Sequence, residues 1–172
     1  MVFLGTGSSG INADYGARIL SNVGVPAFSI KDPYYPFDSL MGIQSDLIFV
    51  VLSVTGEMPV VNELVTKLRR KEQNFVLSIT GSASSTLAKL SNMNLTYNFE
   101  KEVIGDHYVM TSSVPVVYLI EIIARQTYKL KKENYNDSFF SCVKKNFFLL
   151  KINTTLKIPL SLKRESFYNK RN

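Results

Sequence analysis

The sequence contains very few of the residues from which disulfide frameworks and zinc sites are built. Its 172 residues include one cysteine, Cys142, and one histidine, His107. A single cysteine excludes an internal disulfide, and a single histidine argues against a zinc site. No apolar run approaches the roughly 20 residues of a membrane-spanning helix, and no basic segment precedes the short apolar run 2–4 as in a signal peptide. We therefore expect a cytoplasmic protein without a metal and without a membrane partner.

The excess of positive charge lies in the last quarter of the chain. Residues 1–130 contain ten Lys and Arg against eleven Asp and Glu, whereas residues 131–172 contain ten against three. The net charge of +6 therefore comes entirely from the second stretch. We expect a globular domain at residues 1–130, followed by a basic C-terminal extension at 131–172. The charge of the globular part indicates no particular partner, nucleic acid included.

Short apolar runs alternate with segments of helical periodicity through the first 130 residues. The runs 2–4, 26–30, 46–52, 74–79 and 94–98 are predicted strands. Run 46–52 is apolar throughout, as strands covered on both faces of a parallel sheet are. Alternation with short connections is typical of an α/β protein. We predict a five-stranded parallel sheet with helices on both faces, a three-layer sandwich of the flavodoxin-like or Rossmann-like kind.

Two hydroxyl-rich loops directly follow predicted strands. The first is Gly5-Thr6-Gly7-Ser8-Ser9-Gly10, and the second is Ser53-Val54-Thr55-Gly56-Glu57. A loop of this composition that opens a helix presents backbone N–H groups and hydroxyls at one point, which suits a phosphate. Ligands of open parallel sheets bind outside the carboxyl ends of the strands, where both loops are expected. The two loops together predict a phosphorylated ligand held between them.

The first loop has two other interpretations, and both remain open. Its glycines fit the pattern G-x-G-x-x-G, and Asp32 follows at about the distance of a ribose-binding carboxylate, which would make the chain a nucleotide-cofactor protein. That pattern does not account for the hydroxyl pair Ser8 and Ser9, nor for the loop after the third strand. The loop could also serve only to cap the first helix.

Taken in order, these segments resemble a SIS (sugar isomerase) domain. The matching pieces are residues 2–9 with Ala13, 46–57, 77–80, 85–88, and Ser113 before a long apolar helix. The resemblance is strongest to the effector domain of RpiR-type transcriptional regulators, which bind sugar phosphates and carry a separate DNA-binding domain. It implies that Ser9, Ser53 and Thr55, with Ser8 close by, contact the phosphate of the sugar. One position departs from the family, because Met58 stands where a threonine usually follows the Gly-Glu pair.

The resemblance implies a phosphosugar-binding effector domain without a cofactor, which would meet DNA only through a separate domain. The alternative is a phosphosugar aldose–ketose isomerase, which needs a base and a ring-opening acid. Glu102 and His107 are the candidates for these roles, but they form no compelling pair, and this favours binding over turnover. SIS domains commonly pair, so we also expect a homodimer that uses the long helix from Ser112.

Overall fold

The computed structural model describes residues 1–38, 46–98, 102–104 and 108–133. Their helices and strands follow in the order β1 (Val2–Leu4), α1 (Ser8–Asn22), β2 (Phe28–Ile30), β3 (Ile48–Ser53), α2 (Pro59–Arg69), β4 (Phe75–Thr80), α3 (Thr86–Leu90), β5 (Met93–Thr96), β6 (Glu102–Ile104), β7 (Tyr108–Met110) and α4 (Val114–Glu133). None of the helices in these ranges is long and apolar enough to cross a membrane. Most of the predicted basic extension, from residue 134 onward, lies outside the described residues.

Five strands form one parallel sheet in the order β2-β1-β3-β4-β5. From β1 the chain moves outward to β2 and then returns to the other side of β1 to form β3. The strand order therefore reverses between β1 and β3, and at such a point the connections at the carboxyl ends diverge and leave a crevice. The two hydroxyl-rich loops follow these two strands. The predicted α/β fold with a five-stranded parallel sheet is confirmed.

The central strand β3 explains why its sequence is apolar without interruption. Its residues alternate between the two faces of the sheet. Ile48, Val50 and Leu52 join the hydrophobic cluster on one face, and Phe49 and Val51 join the cluster on the other. Both faces are buried, so no position of the strand is left for a polar side chain until Ser53.

Helices cover both faces of the sheet, as predicted. One face packs against α1 and α4, whose buried side chains are Ala13, Ala17, Leu20, Val116, Leu119, Ile120, Ile123 and Ala124. The other face packs against α2 and α3 through Val61, Leu64, Val65, Leu68 and Leu87. The hydrophobic stripe of each helix faces the sheet, and the product is a three-layer sandwich.

A small antiparallel hairpin, which the sequence did not predict, lies between β5 and α4. It pairs β6 with β7, so that Glu102 is opposite Met110 and Ile104 is opposite Tyr108. Each strand has three residues, and so short a run shows no clear alternation of apolar and polar positions.

Gly16 allows α1 to lie close to β1. A Cβ atom at this position would overlap the ring of Phe3, which is fully buried. Alanine normally stabilises a helix interior by about 1 kcal/mol relative to glycine. Because the ring has no space into which it can move, we expect Gly16→Ala to lower the free energy of unfolding by about 1–3 kcal/mol in urea denaturation. Arg18→Ala, on the exposed side of the same helix, should change it far less, and an unchanged Gly16→Ala protein would contradict the close packing.

Candidate functional site

The first loop turns sharply from β1 into α1 at Gly7. The backbone of Gly7 has φ 56° and ψ −129°, a region that glycine adopts far more readily than other residues. No side chain caps the start of α1, so the first N–H groups of the helix have no side-chain acceptor. The positive end of the helix dipole adds to these donors, and the combination attracts an anion.

The hydroxyls of the second loop accept hydrogen bonds from the loop itself. Ser53 Oγ accepts from the N–H of Gly56 at 3.1 Å, and Thr55 Oγ1 accepts from the N–H of Glu57 at 3.3 Å. A hydroxyl has one proton and two lone pairs. Since each hydroxyl acts here as an acceptor, its proton is left over, and neither proton has an acceptor among the described residues. Both groups are therefore oriented as donors for an added oxygen ligand.

Glu57 fixes the second loop to the neighbouring helix α3. Its carboxylate accepts hydrogen bonds from the hydroxyl of Thr86 at 2.7 Å and from the N–H of Thr86 at 2.9 Å. These two bonds lower the pKa of Glu57 below its usual value. The carboxylate is thus committed to the start of α3 and stays ionised near neutral pH.

Ser8, Ser9 and Ser53 line one small cavity at the carboxyl ends of β1 and β3. It encloses about 280 Å³, counting the open solvent at its mouth. The structure therefore brings together three of the four residues that the resemblance implied. The cavity lies at the point where the strand order reverses, which is the usual position of a ligand in such a sheet.

Thr55 lines a second, wider cleft next to this cavity. The cleft also takes Glu57, Met58, Gly81 and Ser82 into its walls and encloses about 1050 Å³, open solvent included. Val54 and Tyr97 belong to both spaces, so the cavity and the cleft adjoin. Thr55 is thus next to the serine-lined cavity but is not part of its wall.

The start of α4 supplies a further wall, which the sequence reasoning missed. Thr111, Ser112 and Ser113 line the serine cavity. Asn12 of α1 donates its side-chain N–H to Ser113 Oγ at 3.1 Å and so ties α4 to α1, and Ser112 Oγ accepts from the N–H of Val114 at 3.2 Å. A serine pair before a long apolar helix is a capping signal, but only the tertiary fold brings it opposite the first loop.

Met58 bridges the two loops. Its sulfur accepts a hydrogen bond from the hydroxyl of Thr6 at 3.5 Å, and its side chain is 40% exposed at the wide cleft. The thioether that replaces the family's usual hydroxyl therefore has a partner of its own in the first loop.

The other candidate residues lie away from the serine cavity or beyond description. Asp32 accepts the N–H of Tyr34 at 2.8 Å within its own loop and lines a separate, mostly apolar space beside β2. Glu102 is the first residue of β6, and His107 lies outside the described residues, so their acid–base pairing stays a prediction. Within the described ranges, no group of three potential metal ligands occurs.

The contact between Glu57 and Thr86 predicts a pH-dependent difference in stability. A carboxylate whose pKa is lowered in the folded state stabilises the fold above its unfolded pKa, and this contribution is lost as the pH falls through the folded pKa. Wild type should therefore be more stable than Glu57→Gln at pH 7, and the difference should shrink at pH 3 in urea denaturation. Glu63→Gln, which breaks an exposed ion pair with Lys67, should have a smaller effect at pH 7. A Glu57→Gln difference that persists unchanged at pH 3 would contradict this assignment.

Comparison with known proteins identifies the family. Residues 1–120 match the model of the SIS domain, while no curated protein sequence matches the chain significantly. Among solved structures, c3406 of E. coli CFT073 in complex with a sugar phosphate is 24% identical, with a TM-score of 0.64 over 81% of this chain and 73% of that one. The sugar isomerase domain of an RpiR transcription factor from Sphaerobacter thermophilus is 13% identical, with a TM-score of 0.64 over 86% and 77%. NanR of Vibrio vulnificus complexed with ManNAc-6P is 20% identical, with a TM-score of 0.61 over 89% and 56%. The family model covers well over half of the sequence, and the chain belongs to the SIS domain family.

Proposed function

We propose that this chain is the phosphosugar-binding effector domain of a cytoplasmic transcriptional regulator of the RpiR type. The observation that carries the proposal is the cavity lined by Ser8, Ser9 and Ser53 between the first turn of α1 and the start of α4. The phosphate of a sugar phosphate would occupy this cavity. Contact with DNA would be made by a separate domain.

A phosphate can be held in this cavity without a metal and without a positively charged side chain. No lysine or arginine is among the described residues that line it. The donors are serine hydroxyls and the N–H groups at the starts of two helices, and a hydrogen bond to a charged group contributes about 1.5–3 kcal/mol. Several such bonds hold a phosphate reversibly, as a sensor requires.

The wide cleft provides room for the rest of the ligand. Thr55 lines this cleft beside the serine cavity, and in this proposal it reaches the ligand from that side. A sugar ring that extends out of the serine cavity would pass Val54 and Tyr97, which belong to both spaces. The division into a small polar cavity and a wider cleft suits a ligand with a compact anionic end and a larger body.

Related structures support binding of small phosphorylated sugars. The c3406 structure is a complex with a sugar phosphate, and the NanR structure is a complex with ManNAc-6P. The RpiR structure comes from a transcription factor. Among the described residues, the one carboxylate at the wide cleft is that of Glu57, which is engaged by Thr86. This favours binding over isomerisation, for which Glu102 and His107 remain the candidate residues.

The proposal predicts that Ser53→Ala weakens phosphate binding. The substitution removes a hydroxyl proton donor and the acceptor for the N–H of Gly56. In isothermal titration calorimetry against pentose 5-phosphates, hexose 6-phosphates and inorganic phosphate, we expect affinity to fall at least about tenfold for every ligand that wild type binds. Ser21→Ala, at the far end of α1, is the matched control and should bind like wild type. Equal affinity of wild type and Ser53→Ala would exclude the serine cavity as the phosphate site.

We further propose that the domain forms a homodimer through the outer side of α4. Val114 and Tyr118 are four residues apart on this helix and are 66% and 46% exposed, and Ile11 of the adjacent α1 is 71% exposed. Apolar side chains grouped in this way are typical of a contact surface. Sedimentation analysis should give a dimer for wild type and a shift toward monomer for Tyr118→Glu. A monomeric wild-type protein would exclude the dimer.

A further inference from the structure

Tyr97 stands at the junction of the serine cavity and the wide cleft. It directly follows β5, it is 4% exposed, and it lines both spaces. A nearly enclosed aromatic residue of this kind normally belongs to the core, and the ring of Tyr97 does pack in the cluster beneath α1 and α4. Its hydroxyl is the part that packing does not explain.

The backbone holds Tyr97 firmly in this position. Its N–H donates to the carbonyl oxygen of Thr80 at 3.1 Å and extends the pairing of β4 with β5. Behind this bond, Asn94 Oδ1 lies 2.7 Å from Ser78 Oγ and 3.0 Å from Thr80 Oγ1. These contacts fasten β5 to β4, so the ring projects from a rigid part of the sheet.

The hydroxyl of Tyr97 has no hydrogen-bond partner among the described residues. A polar group that is enclosed without a partner costs stability unless water or a ligand satisfies it. The oxygen is not sealed from solvent, so a molecule that enters the cavity or the cleft can reach it. Burial raises the pKa of Tyr97, which keeps the hydroxyl protonated and able both to donate and to accept.

We propose that the hydroxyl of Tyr97 is the specificity-determining contact for the sugar, bonded to a sugar hydroxyl just beyond the phosphate. This inference rests on the proposed function and adds to it, because the serines recognise any phosphate whereas Tyr97 reads the attached carbohydrate. The position between the small cavity and the wide cleft is the one that a sugar carbon next to the phosphate would occupy. A site built to bond a hydroxyl discriminates against ligands that lack one there.

The test compares Tyr97→Phe with wild type in isothermal titration calorimetry. The ligands are the tightest-binding member of the panel of pentose 5-phosphates and hexose 6-phosphates, and inorganic phosphate. Because the variant loses a single hydroxyl, we expect about tenfold weaker binding of the sugar phosphate and less than a twofold change for inorganic phosphate. Tyr34→Phe, at an exposed loop tyrosine, is the matched control and should bind both ligands like wild type.

A second measurement uses the unaltered chain and does not depend on how well the variant folds. The ring resonances of Tyr97 should shift when the sugar phosphate is added and should stay in place with inorganic phosphate. Unchanged sugar phosphate affinity in Tyr97→Phe, or an equal loss for both ligands, would overturn the inference and leave the proposed function standing. A wild-type protein that binds no sugar phosphate of the panel would overturn both.

Discussion

The parallel pairing of β1 with β3 is the constraint on which the rest of this site depends. Val2, Phe3 and Leu4 lie beside Phe49, Val50 and Val51, so both strands end at the same edge of the sheet. The next connection from β1 runs to β2 on one side, whereas β3 leads into α2 on the other face. The two hydroxyl-rich loops therefore open next to each other around one crevice. The apolar core that fixes the strands thereby fixes the spacing of the polar groups.

The hydroxyls at this edge are arranged by local hydrogen bonds rather than by charges. Ser53, Thr55 and Ser113 each accept a bond from the protein, two from loop N–H groups and one from Asn12, and an accepting hydroxyl keeps its proton for a ligand. Such an arrangement needs no ligand to organise it. It also involves no buried charge, whose desolvation would oppose folding. A preformed, uncharged set of donors is a physically economical way to recognise a dianion.

Much of the fold was predictable because its determinants are local in sequence. The continuous apolar run of β3 indicates burial on both faces, and a glycine and serine loop after a strand indicates a turn into a helix. These two patterns predict the sheet and place Ser8, Ser9 and Ser53 at one edge. The position of Thr55 in the neighbouring cleft was less accessible, since it depends on how the chain bends after Ser53.

The remaining parts of the site depend on contacts between distant segments. The bond from Asn12 to Ser113 joins residues 101 positions apart, and the capping of Thr86 by Glu57 spans 29 positions. Tyr97 looks in the sequence like an ordinary core aromatic, and only the coordinates place it between two solvent-filled spaces. No periodicity or spacing carries such information.

The most direct test of the account is a crystal structure of the chain with the sugar phosphate that it binds most tightly. The account predicts phosphate oxygens within hydrogen-bond distance of Ser9 Oγ, Ser53 Oγ and the first N–H groups of α1, with the sugar extending toward the wide cleft. A phosphate bound elsewhere on the protein, with these hydroxyls left in contact only with water, would contradict it.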